Sequence, residues 1–190
     1  MIHPYQGVWP DIHPSVFLTP DVTILGDVSL AEDVNVWFGS VIRGDVHRIR
    51  IGARSNVQDL CMLHVTWKKH ALTIGADVTI GHSAVLHGCT VHDACLIGMG
   101  ARILDAAVIE PECLVAAGAV VGERVVVPEG HLVAGVPARV IRPLRPEERE
   151  KIRQSAKNYL HYVDQYRTHG DLARGLDLDD FLAARAAGTL

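Results

Sequence analysis

A chain of 190 residues, of which 48% are hydrophobic, is long enough to bury the core of one domain and to carry an appendage. Its formal net charge of −4 and its isoelectric point of about 6.2 argue against a surface built for nucleic acid or for an anionic membrane. No apolar run approaches the length of a membrane span, so neither nucleic acid nor membrane is expected as a partner.

The first 20 residues carry prolines at positions 4, 10, 14 and 20 and predict an N-terminal segment that leads into a repeat. Its start, Met1 to Gln6, lacks the charged and apolar regions of a signal peptide. The four cysteines contain no Cys-x-x-Cys pair and occupy small apolar positions of the repeat, so we expect them in the core. Free thiols persist in the cytosol, and a cytoplasmic location is therefore expected.

Residues 21–136 place an aliphatic side chain at every sixth position, and a smaller apolar residue usually stands two positions earlier. The aliphatic series is Ile24, Leu30, Val36, Ile42, Ile51, Val57, Leu63, Ile74, Ile80, Leu86, Val91, Ile97, Ile103, Ile109, Val115, Val121, Val127 and Val133. A three-residue slip, a five-residue insertion and one dropped residue interrupt it. Glycines and Asp or Asn residues mark the corners, where tight turns are expected. A six-residue period predicts the stacked hexapeptide repeats of a parallel β-helix.

The period changes after the repeat ends. Residues 136–141 predict an exit strand, closed by Pro143. From Pro146 to about Arg167 the apolar residues follow helical spacing and predict an amphipathic helix, packed on the solenoid or on a neighbouring subunit. A short second helix is expected within residues 176–185. The predicted division is a β-helix domain over 1–143 and a helical appendage over 144–190.

Repeat counting brings particular side chains together. If three hexads make one coil, residues three repeats apart stack about 4.8 Å apart, the spacing of neighbouring strands. The residues that follow the aliphatic positions of one face then form a column in which Arg43 lies beside His64 and His64 beside His87. The insertion after His64 adds five residues to the 18 of a coil, which is what brings His87 above His64.

His82 falls on the preceding face, with Asp59 directly below it and Gln58 beside Asp59. Five residues of extended chain span about 15 Å, so His82 is not expected to reach one ion together with His64 and His87 of the same chain. A three-fold assembly would place the His82 edge of one subunit against the other two histidines of the next. This arrangement predicts three equivalent sites, each with three histidines.

Three neutral imidazoles leave a tetrahedral Zn²⁺ one open position, and such ligation lowers the pKa of bound water to about 7. Metal-bound hydroxide could then attack a small electrophile such as CO₂. The alternative interpretation is that three surface histidines occur by chance in a chain that contains 11. Of the remaining histidines, only His70, within the insertion, lies close enough to be considered for the site.

Four segments together resemble the gamma-class carbonic anhydrase family, and the similarity extends over about residues 5–167. They are Val41-Ile42-Arg43-Gly44-Asp45, Ser55-Asn56-Val57-Gln58-Asp59, Leu63-His64, and Ile80-Gly81-His82 followed by His87-Gly88. The resemblance implies a left-handed β-helix, a homotrimer, and Zn²⁺, Fe²⁺ or Co²⁺ at each subunit interface. It implies that His64 and His87 come from one subunit and His82 from the next, and that the reaction is the reversible hydration of CO₂ to bicarbonate.

The resemblance also implies roles for five further residues. At the position of Gln58 the family orients metal-bound water, and at that of Arg43 it helps to bind bicarbonate. Asp45 and Asp59 match acidic residues of the subunit interface, where plain salt bridging is the alternative to a catalytic role. Tyr159 resembles a tyrosine that approaches the site, with simple packing as the alternative.

The chain departs from the family where protons leave the site. The acidic loop that shuttles protons in the archetypal enzyme is absent, because Val46 follows Asp45 and Trp67 stands three residues after His64. Loss of the shuttle should slow turnover without abolishing attack on CO₂. Two other functions remain open: acyl transfer or hydrolysis of a CoA thioester, and metal or iron-siderophore (ferripyochelin) binding by a trimer without catalysis.

Overall fold

The computed structural model describes residues 1–169 and residue 187. The chain forms a left-handed parallel β-helix, and one α-helix follows it at the C-terminal end of the continuously described part. The fold class predicted from the six-residue period is therefore confirmed. No helix in residues 1–169 is long and apolar enough to cross a membrane.

Most strands contain only two or three residues, as expected when the chain turns a corner every six residues. The strands are β1 (Ile2–His3), β2 (Asp11–Ile12), β3 (Phe17–Leu18), β4 (Thr23–Leu30), β5 (Asn35–Val36), β6 (Val41–Ile51), β7 (Asn56–Val57), β8 (Met62–His64), β9 (Leu72–Ile74), β10 (Thr79–Ile80), β11 (Val85–His87), β12 (Thr90–Val91), β13 (Leu96–Ile97), β14 (Arg102–Ile103), β15 (Val108–Ile109), β16 (Leu114–Val115), β17 (Val120–Val121), β18 (Val126–Val127), β19 (His131–Gly135) and β20 (Ala138–Pro143). The helix is α1 (Pro146–His169).

The strands stack into three faces, each a column of parallel pairs. One face orders β3, β5, β7, β10, β13, β16 and β19 from bottom to top. The long strands β4 and β6 bend around a corner and join the other two faces into one sheet of 12 strands. The registers Ile42↔Leu63 and Leu63↔Leu86 match the repeat count, and so does Leu86↔Ile103.

The aliphatic positions fill the interior of the coil. Ile42, Leu63, Leu86 and Ile103 are each 0% exposed, and small residues such as Ala84 leave room for them. Burial of one such aliphatic side chain contributes about 1.5–3 kcal/mol, so a continuous column of them stabilises every coil against its neighbours. The four cysteines are buried and free, as the sequence predicted.

The corners depart from the expectation in one respect. A residue with φ between +59° and +68° lies at the corner after each of the strands β5, β7, β10, β13 and β16. This residue is not always glycine: the five are Gly39, Leu60, Ser83, Gly100 and Gly118. By contrast, Gly52, Gly75, Gly81 and Gly98 have ordinary backbone conformations. They are glycines because an added Cβ would meet the backbone of the next coil, as at Gly52, where Gly75 C would lie 2.5 Å away. Close stacking, and not turn conformation, explains these four.

The C-terminal part corrects the predicted exit strand. Strand β20 begins two residues later, at Ala138, and pairs antiparallel with β19, so the last coil ends in a hairpin. The predicted helix is confirmed and packs on its own solenoid, with Ile152, Ala156 and Val163 buried. The second helix expected within residues 176–185 lies outside the described residues.

Candidate metal centre

His64 and His87 occupy the last positions of β8 and β11, and the two strands pair so that these residues are direct neighbours. The Nδ1 atom of His64 lies 3.1 Å from the Nε2 atom of His87. The stacking follows from the residue count, because the insertion between the two histidines forms a separate turn and leaves the register of the coil intact. We call these two residues, together with Asp45 and Asp105, the paired-histidine cluster.

Each histidine of this cluster has a carboxylate at its other ring nitrogen. The Nε2 atom of His64 lies 3.0 Å from Oδ1 of Asp45, and the Nδ1 atom of His87 lies 2.6 Å from Oδ1 of Asp105. An ionised carboxylate can only accept, so each imidazole donates its N–H there. In the neutral form of both imidazoles, the two remaining nitrogens carry no proton and face each other.

The charges of the cluster support this assignment of protons. Burial acts to raise the pKa of Asp45, but hydrogen bonds from His64 and Arg43 outweigh it and hold that pKa below its usual value. Burial likewise opposes the hydrogen bonds of Thr66 and His87 at Asp105, whose pKa is also lowered. The pKa of His64 is lowered, chiefly by burial, against the raising effect of Asp45. Both carboxylates are therefore ionised at neutral pH, and His64 is neutral.

The geometry of the cluster fits a metal ion. Two nitrogen ligands at about 2.0–2.1 Å from a tetrahedral Zn²⁺ lie about 3.3 Å apart. The observed separation of 3.1 Å between the facing nitrogens is close to this value. Two lone pairs at that distance repel each other unless a cation lies between them, and metal-ligating histidines commonly donate their second N–H to a carboxylate.

Arg43 adds a positive charge at the edge of the cluster. Its guanidinium forms an ion pair with the second carboxylate oxygen of Asp45, and its side chain is 44% exposed. The same carboxylate thus holds the imidazole of His64 on one oxygen and the guanidinium on the other. Arg43 can present its remaining N–H groups to an anion without leaving Asp45.

His82 lies on another face of the coil, two residues after the end of β10. Its Nδ1 atom is 2.5 Å from Oδ2 of Asp59, and its side chain is 43% exposed. The backbone N–H of His82 donates to Oε1 of Gln58 over 3.2 Å. Gln58 is only 6% exposed and donates from Nε2 to Asn56 over 3.2 Å, so its amide is fixed. We call Gln58, Asp59 and His82 the His82 edge.

Tyr159 of α1 packs beside this edge. Its ring contacts that of Trp37 at a centroid distance of 5.4 Å in an edge-on arrangement. Burial raises the pKa of Tyr159 to about 12, and the negative charge of Asp59 contributes to the rise. The hydroxyl is therefore protonated, and the tyrosine is both a packing residue and a neighbour of the His82 edge.

The structure keeps the His82 edge apart from the paired-histidine cluster. Within the described residues of one chain, no three His, Cys, Asp or Glu side chains are arranged to hold one metal ion. All three predicted ligands nevertheless share a feature: one ring nitrogen lies within 3.0 Å of a carboxylate. His92, by contrast, lies 3.8 Å from the carboxylate of Glu110. His64 and His87 each donate one N–H to a carboxylate, and His82 holds its Nδ1 atom close to Asp59.

Asp105, a member of the cluster, and Thr66, which binds Asp105, were not identified from the sequence. Asp105 binds His87, and Thr66 donates from Oγ1 to the second carboxylate oxygen of Asp105 over 2.5 Å. A signal was present, because Asp105 directly follows Leu104, the residue that the repeat count stacks above His87. Acidic residues are common at the corners of the repeat, however, and the count does not give the direction of a corner side chain.

Comparison with known proteins identifies relatives of this chain by sequence. No family model matches the chain. The Escherichia coli (strain K12) protein YrdA is 43% identical over 177 residues, which are 90% of this chain and 96% of YrdA. Gamma carbonic anhydrase 1 of Arabidopsis thaliana mitochondria is 44% identical over 155 residues, 79% of this chain and 56% of that protein. A carbonic anhydrase of Geobacillus kaustophilus (strain HTA426) is 38% identical over 167 residues, 88% of this chain and 91% of that one.

One solved structure has the same fold but is named after a different activity. A hexapeptide transferase family protein from Anaplasma phagocytophilum superimposes with a TM-score of 0.84 at 36% identity, and the match covers 87% of this chain and 98% of that one. This chain is thus similar both to a protein named as a transferase and to proteins named as carbonic anhydrases. The carbonic anhydrase relatives at 38–44% identity, two of them matched over more than nine-tenths of their length, decide the family. The chain belongs to the gamma-class carbonic anhydrase family of hexapeptide-repeat proteins.

Proposed function

We propose that the protein is a metal-dependent carbonic anhydrase that interconverts CO₂ and bicarbonate at sites shared between the subunits of a homotrimer. In each site His64 and His87 of one subunit and His82 of the next hold one ion, Zn²⁺ or in its place Fe²⁺ or Co²⁺. The observation that carries the proposal is the common state of these three side chains. Each has one ring nitrogen within 3.0 Å of a carboxylate oxygen, which leaves the other nitrogen to face a metal ion.

When bound, such an ion lowers the pKa of a coordinated water toward neutrality and so makes a nucleophile available at physiological pH. Around it, the residues of this chain orient and receive the reactants. Gln58 has one amide N–H left after its bond to Asn56, and its fixed plane can direct that group to an oxygen atom at the site. Arg43, held by Asp45, supplies the positive charge that bicarbonate requires.

The proton released in each hydration cycle has no carboxylate relay at the positions where the family has its acidic loop. Val46 is partly buried against the core, and the exposed Trp67 carries no titratable group. We therefore expect proton transfer to solvent to limit turnover, with buffer acting as the acceptor. Slow, buffer-dependent hydration is the form of activity that this site supports.

Stopped-flow CO₂ hydration on metal-quantified protein tests the proposal, with buffer concentration varied and His82→Ala alongside. His92→Ala is the matched control, because it removes an exposed histidine from another face. Turnover that rises with buffer, vanishes in His82→Ala and persists in His92→Ala supports the proposal. A fully metallated wild-type trimer without turnover contradicts it and leaves metal binding without catalysis as the function.

One observation favours acyl transfer or thioester hydrolysis as the second candidate. A cavity of about 360 Å³ lies beside Gln58, with mostly apolar walls that include Leu96, Met99 and Leu114 and with Ser155 of α1 at its side. This volume is larger than CO₂ requires and could hold a short acyl group. Metal-independent turnover of a CoA thioester, reduced by Leu114→Trp within the cavity, would favour this candidate over CO₂ hydration.

A further inference from the structure

We propose that Asp105 is a positioning residue for His87 and couples this metal ligand to the inserted turn after His64 by way of Thr66. The inference rests on the proposed function, since it assigns a role at the same site. Asp105 follows β14, the strand that lies directly above the strand of His87. Its Oδ1 atom accepts from Nδ1 of His87 at 2.6 Å, and its Oδ2 atom accepts from Oγ1 of Thr66 at 2.5 Å.

The two hydrogen bonds together fix the carboxylate in a way that neither would alone. With one oxygen held from each side, rotation about the bond to the carboxyl group breaks a charge-assisted hydrogen bond. The imidazole of His87 is consequently held as the tautomer with its proton on Nδ1. Its Nε2 atom is then an acceptor at the place where it faces His64, 3.1 Å away.

Gly88 supplies an independent observation. A Cβ at this position would lie 2.5 Å from Oδ1 of Asp105 and 2.8 Å from Cβ of His70. Any larger residue after His87 would thus displace the carboxylate from the imidazole. Glycine is also suited to the backbone here, where φ is +53°. The glycine leaves room for the carboxylate of Asp105 to reach His87.

The inserted turn is closed by a hydrogen bond of its own and is held to the solenoid at two places. Within the turn, Thr66 N–H donates to the carbonyl of His70 over 3.1 Å. Lys68 N–H donates to the carbonyl of Val46 in β6 over 3.1 Å, which anchors the turn to the coil below. Through Thr66 the same turn reaches Asp105 in the coil above. The turn therefore supports the carboxylate, and the carboxylate supports the ligand.

Removal of such a carboxylate partner typically lowers metal affinity by about 10–100-fold. For Asp105→Asn we expect a loss within this range, measured by chelator competition for Zn²⁺. Thr66→Val keeps the bond to His87 and frees only the second oxygen, so we expect a smaller loss, of a few-fold. The matched control is Asp93→Asn, whose carboxylate accepts from a backbone N–H at Ala76 over 2.8 Å on another part of the coil. This control should bind Zn²⁺ as the wild type does.

A second readout does not depend on metal. The ¹⁵N chemical shifts of the His87 ring in metal-free protein should report the Nδ1–H tautomer in the wild type and a mixture of tautomers in Asp105→Asn. If Asp105→Asn binds Zn²⁺ within twofold of the wild type and keeps a single tautomer, the inference is wrong. If the wild type shows the expected tautomer but binds no metal at a His82-dependent site, the proposed function fails and the positioning role stands. Should Asp105→Asn not fold, Thr66→Val with the same two readouts decides.

Discussion

The imidazoles of His64 and His87 face each other although 23 positions separate them in the sequence, whereas a regular coil of this solenoid has 18. The five extra residues are accommodated by the turn that Thr66 and His70 close, outside the stack of coils. Ile51 and Ile74, also 23 positions apart, pair in register on another face. The insertion therefore changes the surface beside the site without changing which side chains stack.

A shared metal site predicts complementation between two inactive variants. His82→Ala removes one ligand from one edge of a subunit, and His64→Ala removes one ligand from the other edge, so neither variant alone should retain metal. A mixed cyclic trimer contains one interface at which all three histidines are present. Random reassembly of equal amounts should then restore about one metal for every four subunits.

The metal content of the purified mixture, measured by atomic emission, checks this outcome. Each variant unfolded and refolded alone serves as the control and should stay free of metal. Failure of the mixture to recover metal, with mixed trimers demonstrated by mass spectrometry, would refute the shared site.

Because the interior of the solenoid is closely packed, truncation of a side chain there should lower the free energy of unfolding strongly. Leu86 is 0% exposed between Leu63 below and Ile103 above, whereas Val126 is 57% exposed. Leu86→Ala should lower the free energy of unfolding by about 2–5 kcal/mol. Val126→Ala should change it by less than about 0.5 kcal/mol. Urea denaturation at one fixed subunit concentration measures both, and equal effects would contradict the burial pattern.

Close stacking of coils predicts that glycines are not equivalent. In Gly52→Ala the new Cβ would lie 2.5 Å from the carbonyl carbon of Gly75 and 2.7 Å from the nitrogen of Ala76, both backbone atoms. We expect a loss of about 1–3 kcal/mol in stability, because backbone must move. In Gly122→Ala the nearest atom would be a methyl of Val125 at 3.8 Å, and stability should be unchanged or slightly raised. Thermal unfolding of both variants distinguishes close stacking from a requirement for turn conformation.

The sequence predicts much of this molecule because a solenoid converts spacing into proximity. Each coil contacts only its neighbours, so a residue count gives the register of Leu63 with Leu86 and hence of His64 with His87. The same count places His82 over Asp59, and the two side chains are in contact. No comparable rule exists for a fold in which distant segments pair.

Outside the six-residue repeat, a residue count no longer predicts which residues are neighbours. The antiparallel return of β20 follows from a hairpin whose direction no six-residue count specifies. The contact of Asp105 with His87 depends on the rotamer of a corner residue, and the packing of Tyr159 on Trp37 depends on where α1 lies across the coil.

The start of α1 predicts a stability that depends on pH. Glu148 accepts hydrogen bonds from both terminal nitrogens of Arg142, at 2.7 and 2.8 Å, and from the backbone N–H of Arg145 at 2.9 Å. The Arg142 bonds first, and then those of Arg145, hold the pKa of Glu148 well below its ordinary value of 4.5. A carboxyl group with a lowered pKa in the folded state stabilises that state above its unfolded pKa, and the effect is lost as the pH falls.

Glu148→Gln should therefore lower the Tm at pH 7. The difference in Tm from the wild type should shrink as the pH falls below about 4.5, because the stabilisation that the ionised wild-type carboxylate gives to the folded state decreases there. The matched control is Glu150→Gln in the same turn of α1. The Glu150 side chain is 61% exposed and, among the residues that the structure describes, pairs with Arg153 alone, at 3.1 Å, so its removal should change the Tm little at either pH. Circular dichroism melts of the three proteins from pH 7 to pH 3 measure these differences. A Tm difference for Glu148→Gln that stays constant over this range would show that the glutamate acts through packing and not through its charge.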